Sequence, residues 1–126
     1  MKQMEIKLSK KVSMEIFHTA MCNGLGFLES YGLYVLIDKT QYNKSKKKLN
    51  MPCIEDVLQQ MLLDGYPLDF TDEEAGETHT IYKEDVYKNV CKTFNKSLLN
   101  IINEEDDAED ADCVLQTVIF GGVIFG

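Results

Sequence analysis

Apolar residues along the chain recur at spacings that separate helices from strands. Met14, Ile16, Phe17, Ala20 and Met21 follow the i, i+3, i+4 rule of a helix with one buried face, and Ser9 or Ser13 is placed to cap its first turn. Gly24 and Gly26 are expected to break or end that helix. Leu33-Tyr34-Val35-Leu36-Ile37 is a continuous apolar run rich in strand formers. It predicts a strand near 33–38 that needs a covered, central or inner position in a sheet. Asp38 to Asn50 holds Lys44, Lys46, Lys47 and Lys48 among polar residues and reads as a solvated loop. Pro52 then opens a helix with Ile54, Val57, Leu58, Met61 and Leu62 as its apolar stripe, stopped by Gly65.

The segment from Tyr66 to Thr71 alternates apolar with polar positions, Asp72 to Glu77 turns the chain, and Thr78-His79-Thr80-Ile81-Tyr82 returns. This is the pattern of a β-hairpin with a glycine-containing loop. A long helix is predicted from Lys83 onward, with Val86, Val90, Phe94, Leu98 and Ile101 as its stripe. An acidic loop from Glu104 to Asp112 follows, then a helix from Cys113 to Phe120. The class is α+β. Three or four helices are expected to pack on one side of a small, mainly antiparallel sheet that includes a β-hairpin near 67–82, in a single domain spanning 1–126.

The chain of 126 residues carries a formal charge of −8, and all thirteen of its basic residues are lysine. That balance argues against direct nucleic-acid binding, which needs a basic face. Without arginine, any anion site must rely on lysine, backbone N–H groups or hydroxyls. The start of the chain has no apolar signal region, and no stretch approaches the ~20 apolar residues of a membrane span. The four cysteines are scattered without a CxxC pair, so reduced thiols in a cytoplasmic protein without membrane contact are expected.

Candidate chemistry is sparse. His18 and Cys22 stand four apart on a predicted helix and would face one side together, as a metal pair or a thiol–imidazole set. A zinc site needs more ligands than that, so the expectation is two ordinary helix residues. The cluster around Asp106, Asp107, Glu109, Asp110 and Asp112 invites a calcium reading. Ala108 and Ala111 fall where ligands are needed, and no glycine supplies the sharp turn. The cluster reads instead as a solvated loop offering an acidic interaction surface. No phosphate-binding glycine loop, metalloprotease or nucleophile-elbow motif is present. No enzyme and no cofactor are expected.

The C-terminus is unusually apolar: Val114, Leu115, Val118, Ile119, Phe120, Val123, Ile124 and Phe125 lie within twelve positions. Such a tail either packs back into the core or joins an oligomer interface, for which Phe120, Val123, Ile124 and Phe125 are the candidates.

Asp110-Ala111-Asp112-Cys113-Val114-Leu115-Gln116, followed by Phe120-Gly121 and ending in Phe125-Gly126, resembles a group of short proteins from phages and integrated elements of Gram-positive bacteria. Members commonly end in D-x-D-x-x-L-Q, then F-G-E and a β-branched, aromatic, glycine finish, and carry a hairpin similar to the one at 68–82. Gly122 stands where the group usually has Glu. The Tyr-Trp pair that often follows the group's first helix is absent, with Phe27 nearest. The resemblance implies a small non-enzymatic accessory protein acting in the host bacterial cytoplasm, counteracting antiviral defence by stoichiometric binding. It would sequester a nucleotide-type signal, as a homo-oligomer with pockets at subunit boundaries, or block a basic host protein. The alternatives are a virion structural or assembly protein, or an acidic nucleic-acid mimic.

Overall fold

The computed structural model describes residues 7–125. Its elements follow as α1 (Lys10–Ser30), β1 (Leu33–Leu36), α2 (Lys39–Lys46), α3 (Ile54–Leu63), β2 (Leu68–Asp72), β3 (Glu77–Ile81), α4 (Lys83–Asn89), α5 (Asn95–Ile102) and α6 (Ala108–Phe120). A 3-10 turn, Val90–Lys92, joins α4 to the chain leading into α5. The class is the expected α+β, with six α-helices among the described residues in place of three or four.

The three strands form one antiparallel sheet in the order β1-β2-β3. The predicted hairpin is present: Leu68 pairs with Ile81 and Asp72 with Glu77. Its turn is closed by the Asp72 carboxylate, which accepts from Glu74 N and Ala75 N at 3.0 and 3.1 Å. The apolar run at 33–37 is an edge strand, contrary to the expected inner position. Leu33 is buried, but Tyr34 and Leu36 are exposed, because alternate residues of a strand point to opposite faces and only one face of this sheet is covered; Ile37, also exposed, lies past the end of the strand. Leu33, Leu68, Phe70 and Ile81 are the core-facing side chains.

Three helix predictions need correction. The lysine-rich segment is α2, not a loop. Asp38 caps it by accepting from Gln41 N at 3.0 Å, and Tyr42, Ser45 and Leu49 turn inward at helical spacing. The long helix after Lys83 is broken: Thr93 and Phe94 are extended, a conformation β-branched Thr tolerates better than helix. Val86, Val90, Leu98 and Ile101 are buried as the stripe requires, whereas Phe94 is exposed. Finally, α1 runs through both glycines to Ser30, with Ser9 as its cap, accepting from Val12 N at 3.1 Å.

Gly24 has a packing reason. A Cβ at this position would lie 2.9 Å from Leu115 Cδ1 and 3.0 Å from Ala111 Cβ on α6, while at Gly26 nothing lies within 4 Å. The close approach lets α1 and α6 bury Ala20, Met21, Ala111 and Leu115 completely. Gly26→Ala is therefore expected to stabilise the protein by about 0.5–1 kcal/mol, the helix-propensity gain. Gly24→Ala has the same gain but should destabilise by about 1–3 kcal/mol through overpacking. Urea unfolding of the pair checks this; shifts of equal size and sign would deny the close approach.

Candidate functional site

The eight apolar residues at the end of the chain divide by position. Val114, Leu115, Val118 and Ile119 are buried on α6. Gly121 ends the helix in a left-handed conformation, φ 83°, donating to Thr117 O at 2.9 Å, and the chain folds back. The fully buried carboxamide of Gln116 receives it: Oε1 accepts from Ile124 N and Phe125 N, both at 2.8 Å, while Nε2 donates to Phe125 O at 3.2 Å and Asp112 Oδ1 at 3.0 Å. Phe125 stacks on Tyr31 with ring centres 4.9 Å apart and meets the edge of Phe120, which in turn packs against His79 at 4.7 Å. Tyr31 Oη donates to Asp112 Oδ2 at 2.9 Å. Of the four residues considered for an oligomer interface, Phe120 and Phe125 are thus taken up within the chain. Val123 and Ile124 are exposed. Gly126 lies outside the described residues.

The acidic cluster also divides, and its reading as a solvated loop is corrected. Asp107 and Asp110 form a reciprocal capping box at the start of α6: Asp107 Oδ1 accepts from Asp110 N at 3.0 Å, and Asp110 Oδ2 from Asp107 N at 3.2 Å. Asp110 is buried, taking further hydrogen bonds from Ser97 Oγ (2.9 Å) and Asn100 Nδ2 (3.1 Å). Burial pushes its carboxyl up, but the bonds from Ser97, Asp107 N and Asn100 outweigh that and hold it below the usual carboxylate range. Asp112 is buried against Tyr31 and Gln116. The signal for this was present in the sequence as D-x-x-D ahead of an apolar run, a capping-box pattern. Glu104, Glu105, Asp107 and Glu109 remain exposed, and Asp106 is half-buried.

Asp106 stands at a groove of about 370 Å³ between α1 and α5. Val12 and Ile16 from α1 and Ile101 and Ile102 from α5 provide its apolar walls; Glu15, Glu104 and Asp106 provide carboxylates, and Thr19 a hydroxyl. Glu104 holds a left-handed backbone, φ 57°, and Asn23 Nδ2 donates to Asp106 Oδ2 at 3.1 Å, fixing that side of the groove to α1. Ile102 and Leu99, one turn apart on α5, are both about half exposed, at 47% and 50%. The helical stripes did not reveal this groove, because two of its walls are residues outside the core-facing stripe.

His18 Nε2 pairs with Asp56 Oδ1 of α3 at 2.7 Å, and Cys22 Sγ lies 3.9–4.0 Å from the ring nitrogens. Burial, then Glu55, Cys53 and Asp56, push the Cys22 thiol up, which opposes formation of a nucleophilic thiolate. The bond from His18, followed by those from Cys53, holds the Asp56 carboxyl low. The arrangement ties α1 to α3. Among the described residues no group of three or more His, Cys, Asp or Glu side chains is placed to hold a metal ion, and no helix is long and apolar enough to cross a membrane. The four cysteines carry free thiols. Comparison with known proteins finds no matching family model, no matching curated protein and no matching solved structure.

Two outcomes follow from this geometry. Gln116→Leu keeps the volume but strips the tail of its partners, and should destabilise by about 2–4 kcal/mol, the sum of several net hydrogen bonds and the exposed stack; an unchanged urea midpoint would deny the clamp. For Asp110, whose folded pKa is depressed, the stabilisation is fully present above the ordinary value of 3.8 and is lost as pH falls through the lower folded value. Asp110→Asn should therefore be less stable than the parent at pH 7, with the gap narrowing below about pH 4. A gap independent of pH would contradict the assignment.

Proposed function

We propose that this chain is a phage-type accessory protein that acts without catalysis, by binding a basic host protein stoichiometrically in the host bacterial cytoplasm and so blunting a defence function. The observation that carries the reading is the groove between α1 and α5, apolar along its walls and acidic at its rim through Glu15, Glu104 and Asp106. Apolar walls give a docked segment area to bury. Carboxylates at the rim select and orient a partner carrying lysine or arginine, and a net charge of −8 steers it from a distance. An amphipathic, basic helix is the partner chemistry that satisfies both requirements.

Mimicry of nucleic acid is favoured less. It needs a row of outward carboxylates, and Asp110 and Asp112 turn inward to hold the fold. The phage origin rests on the resemblance at Asp110 to Gln116, Phe120-Gly121 and Phe125-Gly126. In this chain Asp110, Asp112, Gln116, Phe120 and Phe125 build the α6 cap and the tail clamp, so the binding surface is assigned to other residues.

The test uses a Lys/Leu amphipathic peptide as probe, and phage plating as the biological readout. The parent should bind the peptide with an affinity that falls as salt rises. Glu15→Gln/Glu104→Gln/Asp106→Asn should weaken binding about 10-fold or more and flatten the salt slope, while retaining the parent's thermal unfolding. In a host with an active defence system, the parent should raise plating efficiency and the triple variant should not. Equal binding by both proteins, or incorporation of the chain into virions, would overturn the reading.

A further inference from the structure

Charge is strongly segregated along this chain. Between residues 39 and 54 there are five lysines and no acid, so the remainder of a −8 chain carries −13. The basic segment is not a loose tail. It includes α2 and the turn leading to α3, and it is anchored from beneath by Asp64: Oδ2 accepts from the fully buried Ser45 Oγ at 2.8 Å, and Oδ1 from Lys48 Nζ at 2.9 Å and Gln60 Nε2 at 2.8 Å. Burial pushes Asp64 up, yet Lys48, Ser45 and Gln60 together hold it low. Lys48 is thus committed to the fold.

Lys46 and Lys47 are not in that ion pair. With Asn43 they face a cavity of about 480 Å³ whose other lining residues are Leu49, Met51 and Pro52. Cations near a helix C-terminus are expected for the macrodipole, and Lys44 and Lys46 in the last turn of α2 meet that need. Lys47 is the C-cap residue of α2, and with Lys46 it also lines the cavity. Met51 is the unusual residue. It is 95% exposed and holds φ 48°, a conformation that side-chain-bearing residues other than Asn and Asp seldom adopt and that tends to persist at ligand-holding turns. A flexible thioether at the mouth of a cavity is well suited to closing over an apolar surface.

We propose that this cavity binds a small phosphorylated ligand with an apolar or planar body, of the nucleotide class. Lys46 and Lys47 would take the phosphate charge, Asn43 would offer its carboxamide, and Leu49, Met51 and Pro52 would cover the body. The volume lies within the roughly 300–1,000 Å³ of small-molecule sites. The charge of −13 elsewhere disfavours the two larger anions: a nucleic-acid strand or an anionic membrane would extend past the lysines and meet like charge. This inference is independent of the α1–α5 groove and uses none of its residues.

The experiment titrates a ribose-labelled fluorescent ATP analogue into the parent, into Lys46→Gln/Lys47→Gln, and into Lys92→Gln/Lys96→Gln, which removes the same charge from another segment. Amide shifts are followed in parallel. The parent is expected to bind saturably, with shifts concentrated in residues 43–52. The first variant should lose about 10-fold or more in affinity, the second less than about 2-fold, and pyrophosphate, lacking the body, should compete more weakly than ATP. No saturable binding at millimolar nucleotide would overturn the proposal, as would equal losses in the two variants. Tighter binding to a single-stranded 20-mer or to phosphatidylserine vesicles than to the nucleotide would overturn it in favour of a polymer or a membrane surface.

Discussion

The carboxamide of Gln116 decides how this chain ends. It is fully buried, and a buried amide without partners costs more than its bonds repay when made. Here each end of the group is satisfied, the oxygen by two backbone N–H groups of the tail and the nitrogen by Asp112 and a tail carbonyl. The tail cannot leave without stranding that amide, and the amide cannot be satisfied without the tail. Through Asp112 the same network reaches Tyr31 at the end of α1, and through Phe125 and Phe120 it reaches His79 on β3. One polar side chain therefore joins the first helix, the last helix, the hairpin and the C-terminal segment.

This network gives a physical meaning to the C-terminal pattern that runs from Asp110 to Phe125. Asp110 completes the α6 cap and binds Ser97 and Asn100. Asp112 holds Tyr31, Leu115 fills the space left open at Gly24, and Gln116 grips the tail. Phe120 and Phe125 form the aromatic seam around a left-handed Gly121. In this chain, each of these positions is occupied in building the fold.

Much of the architecture was legible because it is governed by local rules. The hairpin followed from alternation and turn chemistry, and α3 from its stripe and its glycine stop. The misses share a cause: the deciding contact was with a residue distant in sequence. Gly24 reads as a helix breaker until α6 is beside it, where an added Cβ would crowd Ala111 and Leu115. The lysine-rich segment reads as a loop until Asp64 is available to hold Ser45 and Lys48. Asp110 and Asp112 read as solvated until Ser97, Asn100, Tyr31 and Gln116 surround them. The same limit applied to both surface concavities. The α1–α5 groove brings together positions more than eighty residues apart, such as Glu15 and Asp106. The α2–α3 cavity is local, but it exists only because that segment is ordered.

With the motif residues committed inward, what remains outside is a protein of opposed charges: an acid-rimmed apolar groove, and a lysine-lined cavity in a chain otherwise strongly negative. The groove is set on α1 and α5, both packed against α6, and the cavity on α2 and the turn that follows it. The central claim is that Gln116 clamps the C-terminal segment onto α6, and native-state amide hydrogen exchange tests it most directly. The N–H groups of Ile124 and Phe125 should exchange slowly, with protection approaching that of Val114 and Leu115 in α6 and collapsing together with it in Gln116→Leu. Exchange of Ile124 and Phe125 at the rate of an unstructured chain, while α6 stays protected, would contradict the claim.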